Sequence, residues 1–400
     1  MKNKKNKLYK TLLCVSIIFV LVFMFISLNS DFSFLDNILE SLGQKQIFNK
    51  SLLLSDYVYT GNLYIINPGL LITLFGNNLI IKLIVTVLLA IIYIFLVYKI
   101  SDRYLNKYQK MILLLILLCG ISKDYMLSIF LCNSFIYNVI ISLGIFYFCI
   151  RLFYENKIPK IIIFAILIFL LGINSFYNLY SIMIPYIIVE LFFKNKNSGF
   201  KRYSKLIILL FLILFLYLCF LFLFNKYPFI IMMYNSVAID KRIFSILDVL
   251  INIFGISGGK DLISISRSIY FYNNFSDYSL ISIYGITVLL RFVFMVFTII
   301  VAPIILIMNK NKNDININKL TLFNMISLIL NISFYVILGN FAYDITDIKY
   351  FLFNYIIMFI IDVYVVNKYL IKYDFIKKII TLFFILFIIF NIMTNLIYIN

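Results

Sequence analysis

The chain has 400 residues, of which 64% are hydrophobic and 13% charged, with a formal net charge of +18. Soluble domains carry about 25% charged residues, so this balance excludes a water-soluble core and calls for lipid as solvent, where backbone groups are satisfied inside helices. The basic residues are dispersed over short connections that abut apolar runs and build no extended basic face, which argues against nucleic acid as a partner and for anionic lipid head groups.

Eleven apolar stretches are expected as membrane helices, at 11–28, 80–100, 111–122, 126–152, 161–174, 178–193, 206–224, 284–308, 320–338, 350–366 and 379–397. Most of them reach the ~20 residues that cross ~30 Å of hydrocarbon. The first follows Lys2, Lys4, Lys5, Lys7 and Lys10. Its apolar run is longer than a signal-peptide core and no small-residue cleavage site follows, so it is expected to be a retained anchor. The connections at 101–110, 153–160, 194–205, 309–319 and 367–378, with the N-terminal tail, Lys99 and Arg151, hold 24 of the 35 Lys and Arg. Eleven of the 17 acidic residues lie on the alternate connections. The positive-inside rule then places the N-terminus inside and Asn400 outside. The expectation is an all-α integral membrane protein, one polytopic domain over 1–400 with no separate soluble domain.

Residue types narrow the chemistry. Histidine is absent, which removes His-ligated haem, the common zinc hydrolase sites and His-based acyltransferases; a general base must be a carboxylate, lysine or tyrosine. Tryptophan is absent too, and 31 tyrosines take over the interfacial belt. Cys14, Cys119, Cys132, Cys149 and Cys219 all fall in apolar stretches and are expected as small core residues, not a disulfide framework. No internal repeat is visible, which weighs against an inverted-repeat transporter.

Two outer connections, 29–79 and 225–283, are far longer than a helix-to-helix turn requires. In the first, Leu63, Ile65, Ile66, Leu70, Leu71, Leu74 and Phe75 are spaced to lie flat in the interface as a helix broken near Pro68 and Gly69. In the second, Ile243, Ile246, Leu247, Leu250 and Ile251 repeat at helical spacing before the Gly255–Gly259 turn. The stretches around 111–122 and 161–193 are cramped and end in polar turns, which predicts a pit in the outer leaflet with Lys123, Asp124 and Asn174 on its floor. The alternative is a short arm from which Lys123 and Asp124 reach outer water as an ion pair.

The candidate catalytic carboxylates are Asp31, Asp36, Glu40 and Asp56, all in the first outer connection. Asp56 directly precedes the interfacial stretch, where a carboxylate is placed to take a proton from an acceptor hydroxyl while a second substrate arrives from the bilayer. Further along, Arg291 and Lys82 fall within spans near their outer ends and are expected to snorkel. Glu190 and Asp362 fall near inner ends, about one turn from Lys194 and Lys368, and Asn331, Asn391 and Asn395 are expected to bridge helices.

A retained first helix, a long acidic first outer loop with flat helices, short third-to-sixth helices and a late outer loop together resemble the GT-C superfamily of polytopic glycosyltransferases that use polyprenyl-phosphate sugars. The resemblance is to the branch typified by dolichyl-phosphate-mannose and aminoarabinose transferases. It implies a catalytic acid in the first outer loop, here Asp56 with Asp31 in reserve, and a late outer segment entering a membrane helix near the lipid phosphate. In this chain Asp344-Ile345-Thr346-Asp347-Ile348-Lys349-Tyr350 occupies that place, with Lys349 where arginine is more usual. By the same resemblance, Arg267, Lys349 or Lys123 stabilises the phosphate leaving group, with Tyr350 and Asp124 lining the substrate site. The donor implied is a polyprenyl-phosphate-linked sugar and the acceptor a glycan or lipid hydroxyl; no cofactor is implied, and that branch does not generally need a bound ion. A Wzy-type polysaccharide polymerase, a lipid-linked-oligosaccharide flippase or other transporter, and a non-catalytic scaffold are the competing readings. Heavy use of Ile, Lys, Asn and Phe points to an AT-rich genome, hence a bacterial plasma membrane.

Overall fold

The computed structural model describes residues 2–29, 79–119, 134–154, 176–193, 278–308, 315–338 and 351–397, with single positions at 126, 130, 208, 211, 212, 215 and 254. Among them the chain is almost entirely helical and holds no strand. In order the helices are α1 (Lys2–Asn29), α2 (Leu79–Ser101), α3 (Lys107–Cys119), α4 (Ser134–Tyr154), α5 (Phe176–Phe192), α6 (Tyr278–Val296), α7 (Ala302–Met308), α8 (Ile315–Leu338), α9 (Leu352–Val365) and α10 (Asp374–Ile397). Apart from 161–174, which lies outside the described residues, and 206–224, of which only 208, 211, 212 and 215 are described, every expected span overlaps one of these helices. Five described helices are long and apolar enough to cross a membrane: Leu83–Ser101, Gly285–Met308, Ile315–Ser333, Leu352–Leu370 and Asp374–Thr394. The protein is therefore an all-α protein with a membrane-embedding character.

Burial places the helices. In the stretch Leu352–Leu370, 78% of the residues are buried, against 11% for Asp374–Thr394, so α9 is the centre of the bundle and α10 lies at its edge. Around α9 pack α3, α4, α7 and α8, while α10 leans on α6 and α3. Large aromatics fill the interior: Phe146 stacks on Phe323 at 4.5 Å between ring centroids, and Phe294 on Phe359 at 5.4 Å. The outward faces are apolar as well. Ile84, Leu88, Ile91 and Phe95 on α2 and Ile379, Leu382, Ile385 and Ile389 on α10 are exposed at helical spacing, as a lipid-facing surface requires.

Local chemistry sets the connection between α2 and α3. The Asn106 side chain accepts from the Gln109 N–H at 3.0 Å while the Gln109 side chain accepts from the Asn106 N–H at 2.9 Å, a reciprocal cap that starts α3. Lys110 pairs with Asp102 and lies over the Tyr98 ring, 4.1 Å from its centroid. Burial disfavours the Lys110 ammonium, but its hydrogen bonds to Asp102 and Tyr98 outweigh this and raise its pKa.

Two helices carry π-turns. The first, Phe297–Val301, joins α6 to α7, and the second, Val366–Leu370, extends α9. Pro303 accounts for the first: it has no N–H to donate, and its ring clashes with the carbonyl four residues back, so the preceding turn widens. The Ala302 N–H reaches back to the Phe297 carbonyl. The Thr298 carbonyl consequently receives no helix N–H from residue 302 or 303.

Several expectations change. Arg291 does not snorkel: it is buried on a helix that begins at Tyr278, six residues before the expected start, and faces the interior near Tyr355. Asp362 is not near a helix end, because the span runs to Leu370 and places it near the middle. Lys368, expected beside Asp362, donates instead to the Tyr364 hydroxyl at 2.9 Å. Cys149 is buried as expected, whereas Cys14 is exposed on the outward face of α1.

Candidate functional site

At one end of the bundle the 101–110 connection, the last turns of α4 and α5 and the first turns of α8 surround a small cleft of about 20 Å³, room for about one water molecule, that is partly open to solvent. These segments carry or adjoin the lysine- and arginine-rich connections, so this is the basic end. The polar wall is Arg103, Tyr104, Glu190, Asn316 and Lys319. Beneath it lie Phe146, Tyr186 and Phe323, whose rings meet one another at 4.5–6.5 Å.

Glu190 is the anchor of that wall. Its carboxylate accepts from the Lys319 ammonium at 2.8 Å, an ion pair in which Glu190 is buried and Lys319 about one-fifth exposed. The partner is thus on another helix; Lys194, the expected one, lies outside the described residues. Burial pushes the Tyr104 phenol up to about 12, with Arg103 lowering it and Glu190 raising it further, so Tyr104 is a neutral donor at ordinary pH.

Two polar clusters sit deeper. Asn354, fully buried on α9, donates to Asn324 Oδ1 and Ser327 Oγ at 3.1 Å each and accepts from Asn331 Nδ2 at 2.7 Å. Asn324, Ser327 and Asn331 share one face of α8 by their spacing. Asn331 bridges helices as expected, whereas the Asn391 amide donates within its own helix, to the Phe387 carbonyl at 3.0 Å. The second cluster lies between the π-turns: the Thr298 hydroxyl is 2.6 Å from Asp362 Oδ2 and 2.8 Å from the Phe294 carbonyl. Asp362 is 2% exposed, and its Oδ1 has no hydrogen-bond partner among the described residues. Among those residues no group of three or more Cys, Asp and Glu side chains is placed to hold a metal ion.

The expected site residues Asp31, Asp36, Glu40, Asp56, Lys123, Asp124, Asn174, Arg267, Lys349 and Tyr350 lie outside the described residues, as do the side chain of Lys82 and, of the two long connections, 30–78, 225–253 and 255–277. Sequence reasoning did not single out Arg103, Tyr104, Thr298, Asn316, Lys319 or Asn354. Their positions at helix ends were readable for Arg103 and Lys319, but the helix each one faces was not.

Comparison with family models, curated proteins and solved structures returns no match.

Proposed function

We propose that the protein is a membrane glycosyltransferase that moves a sugar from a polyprenyl-phosphate carrier to an acceptor hydroxyl on the outer face of a bacterial plasma membrane, in cell-envelope glycan or glycolipid assembly. In this reading the chain crosses the bilayer eleven times with its N-terminus in the cytosol, and the connections 29–79 and 225–283 cover an outer, lipid-open cavity. Two features of the sequence support it: its acidic, interfacial excursions alternate along the chain with the basic connections, and Lys349-Tyr350 immediately precede in sequence the bundle's most buried helix, which begins with buried Phe351 and Leu352. Phe351 offers no side-chain cap, and the positive end of a helix dipole beside a lysine suits a phosphate.

The chemistry follows. The Asp56 carboxylate takes the proton of the acceptor hydroxyl, that oxygen bonds to the anomeric carbon, and the bond from that carbon to the carrier phosphate oxygen breaks with inversion. Charge then builds on the polyprenyl phosphate, where Lys349, Arg267 and Lys123 stabilise it. Mass spectrometry of envelope glycans and lipid-linked sugars tests the reading. Cells lacking the gene are expected to lose a single sugar, and Asp56→Asn is expected to insert normally yet fail to restore it. Full restoration by that variant refutes the base; shortened repeats in its place indicate a polymerase, and complete precursor held on the inner leaflet indicates a flippase.

A further inference from the structure

The two short contacts of the Thr298 hydroxyl need two hydrogens, and the hydroxyl brings one. Its oxygen lies 2.8 Å from the Phe294 carbonyl and 2.6 Å from Asp362 Oδ2, both of them hydrogen-bond lengths. A carbonyl and an ionised carboxylate are acceptors only, so with Asp362 ionised one of the two contacts would set oxygen against oxygen with no hydrogen between. With a proton on Oδ2 the count closes. Asp362 then donates to Thr298 Oγ, and Thr298 donates to the Phe294 carbonyl.

Among the described residues no cation is placed to neutralise Asp362 instead. The charged residues on the elements packed round α9, and on its own π-turn, are Lys107 and Lys110 of α3, Arg151 of α4, Lys319 of α8 and Lys368, all towards the basic end. Lys110 pairs with Asp102 and Lys319 with Glu190, while Arg151 reaches the Tyr147 hydroxyl and Lys368 the Tyr364 hydroxyl. The π-turn Phe297–Val301 and α7 carry no titratable side chain. Arg291 shares a helix face with Thr298 but lies seven residues back, about 10 Å along the axis, at the level of Tyr355. Phe294 lies between, stacked on Phe359 at 5.4 Å and 5.1 Å from Phe387. That aromatic layer separates the two groups.

The surroundings suit a group that exchanges its proton more than a sealed tie between helices. Ionisable residues inside a membrane bundle mark ion and proton sites, and π-turns are frequent at functional sites. Two π-turns flank Asp362: Phe297–Val301 on the helix that meets it and Val366–Leu370 one turn along its own. The first leaves the Thr298 carbonyl without its helix N–H, and Asp362 Oδ1 has no donor among the described residues. We propose that Asp362 is a proton-binding site inside the membrane bundle, taking up and releasing one proton at Oδ2. On release the carboxyl O–H bond breaks, the proton leaves on a water molecule, and Thr298 turns its own hydrogen from the Phe294 carbonyl to Oδ2. The layer of Phe294, Phe359 and Phe387 closes the way towards Arg291, so the exchange runs towards the basic end as the widened turns open. The proposal rests on no part of the transferase reading.

The test is infrared spectroscopy of the full chain in lipid nanodiscs. At neutral pH the carbonyl-stretch band of a protonated carboxylic acid is expected, moved to lower frequency in heavy water and lost reversibly as pH rises, with a carboxylate band taking its place. Asp362→Asn is expected to delete it. Should that variant fold poorly, changes at the partner assign the band with the carboxyl still present: Thr298→Val is expected to move it to higher frequency, because the acid loses the acceptor of its hydrogen, and Thr298→Ser to leave it in place. No acid band at neutral pH overturns the proposal, and so does a band undiminished in Asp362→Asn. A band indifferent both to heavy water and to pH marks a sealed acid and overturns the exchange. Loss of the band when sodium replaces potassium at constant pH overturns it too, because the same oxygens then hold a metal ion.

Discussion

Replacing Thr298 by valine changes almost no volume but removes the hydroxyl that serves Asp362 at 2.6 Å and the Phe294 carbonyl at 2.8 Å. Interhelical hydrogen bonds in membrane proteins average only ~0.6 kcal/mol and reach ~1.7, so loss of the bond alone would be modest. The larger consequence is what remains. Asp362 is 2% exposed and its Oδ1 already has no partner among the described residues, so the variant leaves a buried carboxyl with no hydrogen-bond partner among them. An orphaned buried polar group costs about 1–3 kcal/mol, which puts the expected destabilisation of Thr298→Val near ~2 kcal/mol. The double variant Thr298→Val/Asp362→Leu removes both polar partners together and is expected to be less destabilised than the sum of the singles by about 1 kcal/mol or more. Reversible unfolding in mixed detergent micelles measures all three. A single valine variant within ~0.3 kcal/mol of wild type, or strict additivity in the cycle, refutes the reasoning.

The asparagine cluster gives a second test. Asn354→Leu removes the hub that joins Asn324, Ser327 and Asn331; the same unfolding assay is expected to register a loss of about 2 kcal/mol or more, since several groups lose a partner at once. The basic end predicts a pH dependence. Folding raises Tyr104 from an ordinary 10 to about 12 and raises Lys110 as well, so the stability each contributes is fully present below about pH 10 and is lost as pH rises through the folded values. The unfolding midpoint is expected to hold to about pH 10 and fall towards 12, and Tyr104→Phe to flatten that fall.

Sequence and structure agree where one-dimensional information suffices. Apolar runs in α2, α6, α8, α9 and α10 specify helices because no other backbone arrangement of that composition satisfies its own hydrogen bonds in lipid. Charge asymmetry sorted Arg103, Glu190 and Lys319 to one end of the chain's zigzag, and they do line one cavity. The partnerships were not legible. Glu190 and Lys319 are 129 residues apart, and Thr298 and Asp362 are 64 apart. Helical period fixes which residues share a face, but not which other helix that face meets; that depends on packing around α9. Of the local partners offered by sequence, Lys194 lies outside the described residues, and Lys368 donates to Tyr364 on its own helix while Asp362 is met by Thr298 from another. Asp362 was misplaced for a separate reason, since the π-turn at Val366–Leu370 extends the helix beyond the apolar run.

Pro303 offers the sharpest check on why that interior has its shape. In an ordinary helix interior proline costs about 3 kcal/mol relative to alanine, so Pro303→Ala would appear to be a stabilising change. Here the cost is already absorbed by the widened turn over Phe297–Val301. An alanine N–H at 303 again reaches the carbonyl of Ile299, the turn tightens to α-geometry, and one residue of register is lost between α6 and α7. One residue corresponds to about 100° of rotation, which carries the Thr298 hydroxyl away from Asp362. The gain in helix propensity is therefore offset by an orphaned carboxyl, and the expected net change is a loss, or a gain below about 1 kcal/mol. The same rotation predicts that Thr298→Val has little further effect once residue 303 is alanine. A gain of the full ~3 kcal/mol with the Thr298→Val penalty undiminished would mean that the π-turn does not owe its existence to the proline and does not serve to hold Thr298 against Asp362.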